Sequence, residues 1–478
     1  MRRRAEIFLV VAAFLATGCS LDSVSLRSPR QFKAPPLVFD FPAVERFDTA
    51  NGIRVFFRED RELPLVSVSV MISGGSLHDP DGKVGLAELF AATLRSGGAG
   101  PHSPDRLDDL LEQMGADFGV SADSYAVQMG LSLRREDFEQ GLGILAEVLR
   151  RPLLDGTRLD LAKKRLAETI RRRDDVPRQL ALERFRRHLY RGHPLGREPT
   201  LETAGSVSRS DLTAFHRRHF HPGNLWLAVS GDIGGSQLQQ VLERSFGDWP
   251  PGPVTPTTPP PLPPAPDPEL LLARRDLSQT AIVLGHLGIE KSAPDLFEVQ
   301  VLDFILGGGG FNSRLMREIR SNRGLAYSVY SHFQIGRRLP GLFWVGCETR
   351  SDATIQVVEL IRSLAEEMRQ KPVAEEELRL AQESLINSFV FAFEDSHAVV
   401  SRAARLDFYG YPEDYLRSYR DHVAAVTAQG VLDAARRRLD PRGFSIVLVG
   451  KPEGFDAAPE TLGLPVRELP AGSGTEGR

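Results

Sequence analysis

A run of prolines most constrains what this chain can become. Residues 250–268 read PPGPVTPTTPPPLPPAPDP, and a stretch so rich in a residue that fixes φ and lacks a backbone N–H cannot continue a helix or enter the interior of a sheet. Polyproline II is the expected conformation, able to bridge on the order of 60 Å at about 3.1 Å per residue. The stretch reads as a spacer between two bodies. A chain of 478 residues suits that division, being too long for one ordinary core and long enough for two domains of about 200 residues.

The two bodies read as copies. VSRSDLTAFHRRHFHPGNLWLAVSG at 207–231 lies over VTAQGVLDAARRRLDPRGFSIVLVG at 426–450 without a gap, at a constant offset of 219. The same offset pairs Leu159, Leu161, Ala162 and Leu166 with Leu378, Leu380, Ala381 and Leu385. One register across two segments argues for tandem duplication, with a repeat too long for a solenoid. Within the first copy, Val66, Val68, Val70 and Ile72 alternate as a half-buried strand does, and AVQMGLSL at 126–133 alternates again. Ser103-Pro104 followed by Leu107, Leu110, Leu111 and Met114 predicts a capped amphipathic helix, and longer helices are expected over 136–150, 157–173 and 208–220.

The ends carry different signals. MRRRAEIFLVVAAFLATGCS opens basic, then runs apolar from Ile7 to Ala16, too short to cross about 30 Å of hydrocarbon, so residues 1–18 read as a cleaved signal. Ala16-Thr17-Gly18-Cys19 resembles a bacterial lipobox. That resemblance implies lipidation of Cys19 and a lipoprotein facing the periplasm of a bacterial envelope, with Ser20 favouring the outer membrane. Residues 19–45 are then a tether, and the Pro/Gly-rich residues 453–478 are expected to be a disordered tail. Cys347 is left without an intramolecular partner and is expected to be buried as a small hydrophobe. A net charge of −4, with no basic block after the first residues, makes nucleic acid an unsuitable partner.

Four stretches carry a wider resemblance: GGSLHDPDGKVGLAELF at 74–90, RDDVP at 173–177, GHPLGREPTLETAGSVSRSDLTAFHRRHFHPGNLWLAVSGD at 192–232 and LGGGGFNSRLMREIRSNRGLAYSVYS at 306–331. In this order the chain resembles the pitrilysin/insulinase family of zinc metallopeptidases, which carry H-x-x-E-H. The resemblance spans residues 46–452. It implies an α+β fold of two homologous domains, 46–249 and 269–452, each a mainly antiparallel sheet packed with helices, closing as a clamshell around a peptide chamber.

The resemblance fails at its centre. Active members carry His, Glu and His on the helix after Gly-Leu-Ala, where positions i and i+4 let both imidazoles reach one zinc while Glu polarises water. Here those places hold Glu88, Ala91 and Ala92. The distal glutamate ligand falls on Thr169, with Glu168 one residue away, and one residue turns a helical side chain by about 100°. His216, His219 and His221 form a tempting H-x-x-H-x-H, but they read as a solvated helix end rather than a replacement site. No metal is therefore expected in this chain, and zinc is expected in a partner.

The second copy keeps what the first lacks. Arg320 and Tyr327 stand in the R-x6-Y arrangement that the family uses from its zinc-less domain, where the resemblance implies hydrogen bonding to substrate backbone and to the developing oxyanion. Gly308, Gly309, Gly310 and Asn312 are expected to line that peptide site; the glycine run lacks the Lys-Ser/Thr of a phosphate loop, and its simplest reading is a tight entry to a helix. The implied protein is a zinc-less subunit that forms a heterodimer with an H-x-x-E-H homologue and completes its peptidase site. A non-enzymatic peptide-binding or structural scaffold stays open, as does a degenerate metalloenzyme.

Overall fold

The computed structural model describes residues 41–252 and 259–470. The expected signal, Cys19 and most of the tether lie outside those residues. Two six-stranded sheets form the frame. The first joins β1 (Glu45–Asp48), β2 (Arg54–Glu59), β3 (Leu65–Ser73), β4 (Asp117–Ala122), β5 (Ala126–Arg134) and β6 (Leu225–Gly231) in the order β1-β2-β6-β3-β5-β4. Only β2 and β6 run parallel. The second joins β7 (Leu270–Arg274), β8 (Gln279–Leu287), β9 (Ala326–Phe333), β10 (Leu342–Arg350), β11 (Ser445–Gly450) and β12 (Val466–Glu468) in the order β12-β7-β11-β8-β10-β9. There β11 and β12 both run parallel to β7, and the other pairs are antiparallel. The fold is α+β, in two similar halves.

Local patterning explains these elements. Val66, Val68, Val70 and Ile72 are all at most 1% exposed, as their alternation in β3 requires. Ser103 Oγ accepts from the Arg106 N–H at the start of helix Pro104–Gln113, whose Leu107, Leu110 and Leu111 turn inward. The duplication extends beyond the segments where the sequence displays it: helices Gly156–Arg172, Pro177–Leu189 and Arg209–His219 recur as Glu375–Val390, Ser396–Tyr409 and Ala428–Arg438, each beginning 219 positions later.

The copies are joined by exchange. Helix Pro177–Leu189 of the first half covers the second sheet, packing Leu180, Ala181, Phe185 and Leu189 against Leu271, Ala273, Val283, Val447 and Val449. Helix Ser396–Tyr409 of the second half covers the first sheet, packing Val400, Ala404, Phe408 and Tyr409 against Phe56, Met71, Trp226 and Ala228. Each fully buried large side chain contributes about 1.5–3 kcal/mol, so the two layers bind the halves strongly. Residues 41–470 accordingly form one compact unit rather than two bodies on a spacer. The described part of the proline segment packs down as well: Leu262 joins the first of these layers, and His193 Nε2 donates to the Pro260 carbonyl at 2.9 Å.

Two expectations about the ends need correction. The tail is folded to residue 470, because its prolines and glycines form turns that deliver β12 to the free edge of β7. Asp456 in that tail accepts from the N–H groups of Ile355 and Gln356, at 2.8 and 2.9 Å, at the start of helix Thr354–Gln370. At the other end Phe41 stacks edge-on against Phe393, so the body begins before residue 46. Cys347 is buried in β10 and unpaired, as expected.

Candidate functional site

Helix Leu86–Ser96 is where a metal-binding helix would stand. Gly85 enters it with φ of +104°, in the left-handed region that glycine alone adopts freely, and a Cβ there would sit 3.1 Å from Pro199. The Asp79 carboxylate accepts from the N–H groups of Gly85 and Ala87 at 2.8 and 3.0 Å, fixing the helix start. Burial nevertheless pushes Asp79 up to about 6. The scaffold of the site is thus intact.

Its contents are not those of a metal site. Glu88, Ala92 and Thr169 line one cavity of about 160 Å³ between helices Leu86–Ser96 and Gly156–Arg172, while Ala91 is buried beside it. Arg158 and Arg165 line the same cavity. Thr169 Oγ1 donates to the Arg165 carbonyl at 3.2 Å, within its own helix. Glu168, which does not line that cavity, pairs with Arg172 at 2.6 Å. Desolvation raises the Glu88 carboxyl, partly countered by Arg173. One carboxylate, a hydroxyl and two methyl groups beside arginines do not fit zinc, which takes three or four N, S or O ligands at about 2.0–2.3 Å. Among the described residues no cluster of three His, Cys, Asp or Glu side chains is placed to hold a metal.

The histidine triplet is not a solvated helix end either. His219 is buried against Phe215, with ring centroids 4.6 Å apart, and burial lowers it to about 4. His216 Nε2 lies 2.8 Å from the Leu149 carbonyl, and desolvation lowers it too. His221 turns back to the Arg218 carbonyl at 3.2 Å. The three imidazoles are separately engaged, and burial keeps His216 and His219 neutral as packing groups.

The second half assembles a different site. Arg320 lies on a wide helical turn, Met316–Asn322, of the π type that recurs at functional sites. Tyr327 follows at the start of β9 and is 83% exposed. The structure brings the two together: the Arg320 guanidinium carbon is 4.7 Å from the Tyr327 ring centroid. It is also 4.6 Å from the ring of Phe311, which is 68% exposed. Phe311 escaped the sequence reading, and its only signal was a large aromatic directly after four glycines.

The neighbouring arginines are committed elsewhere. Arg314 forms a two-pronged pair with Glu377, Arg317 reaches the same carboxylate, and Arg323 pairs with Glu318. The Arg320 guanidinium makes no hydrogen bond or ion pair among the described residues. Its N–H edge is available to a ligand.

The glycine run is more than an entry to a helix. A Cβ on Gly307 would fall 2.2 Å from the Ser331 backbone nitrogen, so its absence lets the loop press against β9, the strand that carries Tyr327. Gly308, Gly310 and Asn312 are exposed, and Gly309 packs on Phe304.

Comparisons with known proteins bear on the family and the fold. Residues 54–203 match the family described as Insulinase (Peptidase family M16), and residues 206–385 match the Peptidase M16 inactive domain. A Mycobacterium leprae protein named an uncharacterized zinc protease is 26% identical over 83% of this chain and 90% of the relative. A Helicobacter pylori protein named a non-peptidase homolog, YmxG, is 22% identical over 83% of this chain and 91% of its own. The crystal structure of a peptidase M16 inactive domain from Pseudomonas fluorescens superimposes with a TM-score of 0.76 at 27% identity, covering 85% of this chain and 98% of the other.

Proposed function

This chain belongs to the insulinase family of peptidases, M16, and from that premise we propose that it is a non-catalytic member that holds peptide with Arg320 and Tyr327 for a separate chain bearing H-x-x-E-H. The single observation that carries this reading is the contrast between the two sites. The place for the hydrolytic machinery holds Glu88, Ala91, Ala92 and Thr169, whereas Arg320 presents uncommitted donors beside an exposed phenol.

A guanidinium and a phenol are both donors, and Arg stays charged at any working pH. They suit a peptide carbonyl oxygen, and their hold tightens as that oxygen gains charge. Gly308, Gly310 and Asn312 lie exposed beside them, where an extended backbone can pass close. Hydrolysis itself, with its zinc, rests with the partner. Cys19 anchors the pair at the bacterial envelope, facing the periplasm.

The test is capture of the full chain from its native membrane, followed by mass spectrometry. The expected companion is a homologue of similar length that carries H-x-x-E-H. With that companion, Arg320→Ala lowers kcat by about 10²-fold while assembly is retained. Unchanged turnover in the variant removes the pair from the mechanism, and capture without such a homologue removes the subunit role.

A further inference from the structure

We infer that Phe311 is a positioning residue: with Tyr327 it holds the Arg320 guanidinium against two aromatic rings and leaves its N–H edge to meet peptide. The inference rests on the reading that Arg320 holds peptide, and it adds how that side chain is aimed.

An exposed arginine is a long flexible chain, and ordering it costs up to about 2 kcal/mol of rotamer freedom. The usual remedy is an acidic partner, which Arg314, Arg317 and Arg323 all have. A carboxylate beside Arg320 would occupy the donors that a peptide needs. Aromatic faces order the guanidinium without occupying them, because the attraction runs through the π cloud while the N–H groups lie in the plane. The distances of 4.6 and 4.7 Å from guanidinium carbon to ring centroid place Arg320 within that attraction of both rings.

The sequence around Phe311 is built to deliver the ring. Gly310 takes φ of +59°, which turns the chain after the glycine run at almost no cost for this residue alone. Ser313 Oγ then donates to the Gly310 carbonyl at 2.7 Å and locks the turn that holds Phe311. Gly307 seats the other end of the loop on β9 at Ser331. Phe311 and Tyr327 are thereby tied to one strand, and both stay exposed, although burial would otherwise be the favourable fate of a phenylalanine. The consequence for recognition is a ligand that approaches edge-on: a backbone carbonyl or a carboxylate, beside two aromatic rings.

The experiment uses the full chain with isotopically labelled arginine, the Arg320 side-chain resonance being identified by its loss in Arg320→Lys. Ring currents from the two rings shift that resonance upfield in the native protein. Phe311→Ala returns it toward the ordinary arginine position, and Phe311→Tyr restores it. An Arg320 resonance unmoved by Phe311→Ala overturns the inference. The second arm measures fluorescence anisotropy of a labelled, reduced and carboxymethylated α-lactalbumin, an extended polypeptide. Phe311→Ala weakens binding about threefold, Phe311→Tyr leaves it unchanged, and Phe311→Ala adds nothing in an Arg320→Ala background. Additive losses overturn the inference. If the resonance moves as expected but Arg320→Ala binds peptide like the native chain, the peptide-holding reading fails instead.

Discussion

His188 Nε2 lies 3.0 Å from Ser445 Oγ, a hydrogen bond between residues 257 positions apart that pins the exchanged helix of the first half to the sheet of the second. The other half replies in kind. His397, on the reciprocal helix, meets Ser69 Oγ at 2.7 Å and Ser230 Oγ at 3.1 Å on β3 and β6. Both imidazoles are neutral where they lie, since burial lowers His397 and brings His188 to about 4, with Arg467 and Arg191 adding to the effect and Glu269 opposing it.

Those buried histidines make stability fall in acid. The folded chain holds His188 at about 4 and the unfolded chain near 6.5, so between these values the unfolded state binds the extra proton. The contribution is complete above about pH 6.5 and is lost as pH falls toward 4, reaching about 2 kcal/mol by about pH 5. Asp79, raised to about 6, acts in the opposite sense but is shared by any His188 variant. Urea unfolding of native protein and His188→Gln at both pH values checks this. The variant is less stable at pH 7 and less sensitive to acid, and parallel pH profiles would refute the assignment.

The altered metal positions can be refitted for zinc. Glu88→His, Ala91→Glu, Ala92→His and Thr169→Glu together supply two imidazoles one turn apart, a glutamate for water and a facing carboxylate. Elemental analysis after dialysis is expected to find about one zinc per refilled chain, the usual stoichiometry of a three-ligand site, and no stoichiometric zinc in the native protein. A native protein that retains zinc would overturn the reading of this helix.

The exchanged helices carry much of the stability. Phe185, 0% exposed between helix Pro177–Leu189 and the second sheet, costs about 3–5 kcal/mol when cut to Ala. Phe391, 77% exposed, costs within about 0.5 kcal/mol. Chemical denaturation of both variants tests the contrast, and a near-neutral Phe185→Ala would mean that the interface is loose.

The folded tail predicts a measurable cap. Asp456→Ala leaves two N–H groups at the start of helix Thr354–Gln370 without their acceptor and costs about 1 kcal/mol, or roughly 2 °C in Tm for a chain of this size. An unaltered Tm would return residues after 452 to the status of an unstructured end.

Much of this architecture was legible in the chain. Period two at Val66 to Ile72 gave β3, and the 219-residue register gave the duplication. The exchange was not legible. Leu180, Ala181, Phe185 and Leu189 announce an amphipathic helix, but periodicity cannot say which sheet the stripe will cover. Composition misled at the tail, where Pro459 and Gly463 shape a turn toward β7 rather than prevent order. The site divided similarly. The family resemblance pointed to Arg320 and Tyr327, to the alanines of helix Leu86–Ser96 and to Thr169 rather than Glu168, but only the fold shows that Thr169 lines a cavity with Glu88 while Glu168 turns to Arg172. Phe311 had no periodic neighbour to betray it.

Since each sheet is roofed by a helix from the other copy, the duplicated halves are interlocked like clasped hands. A chain severed within residues 250–268 should hold together as a two-piece complex, whereas either piece made alone would leave one face of its sheet bare. Parting the halves would peel both helices from their adopted sheets.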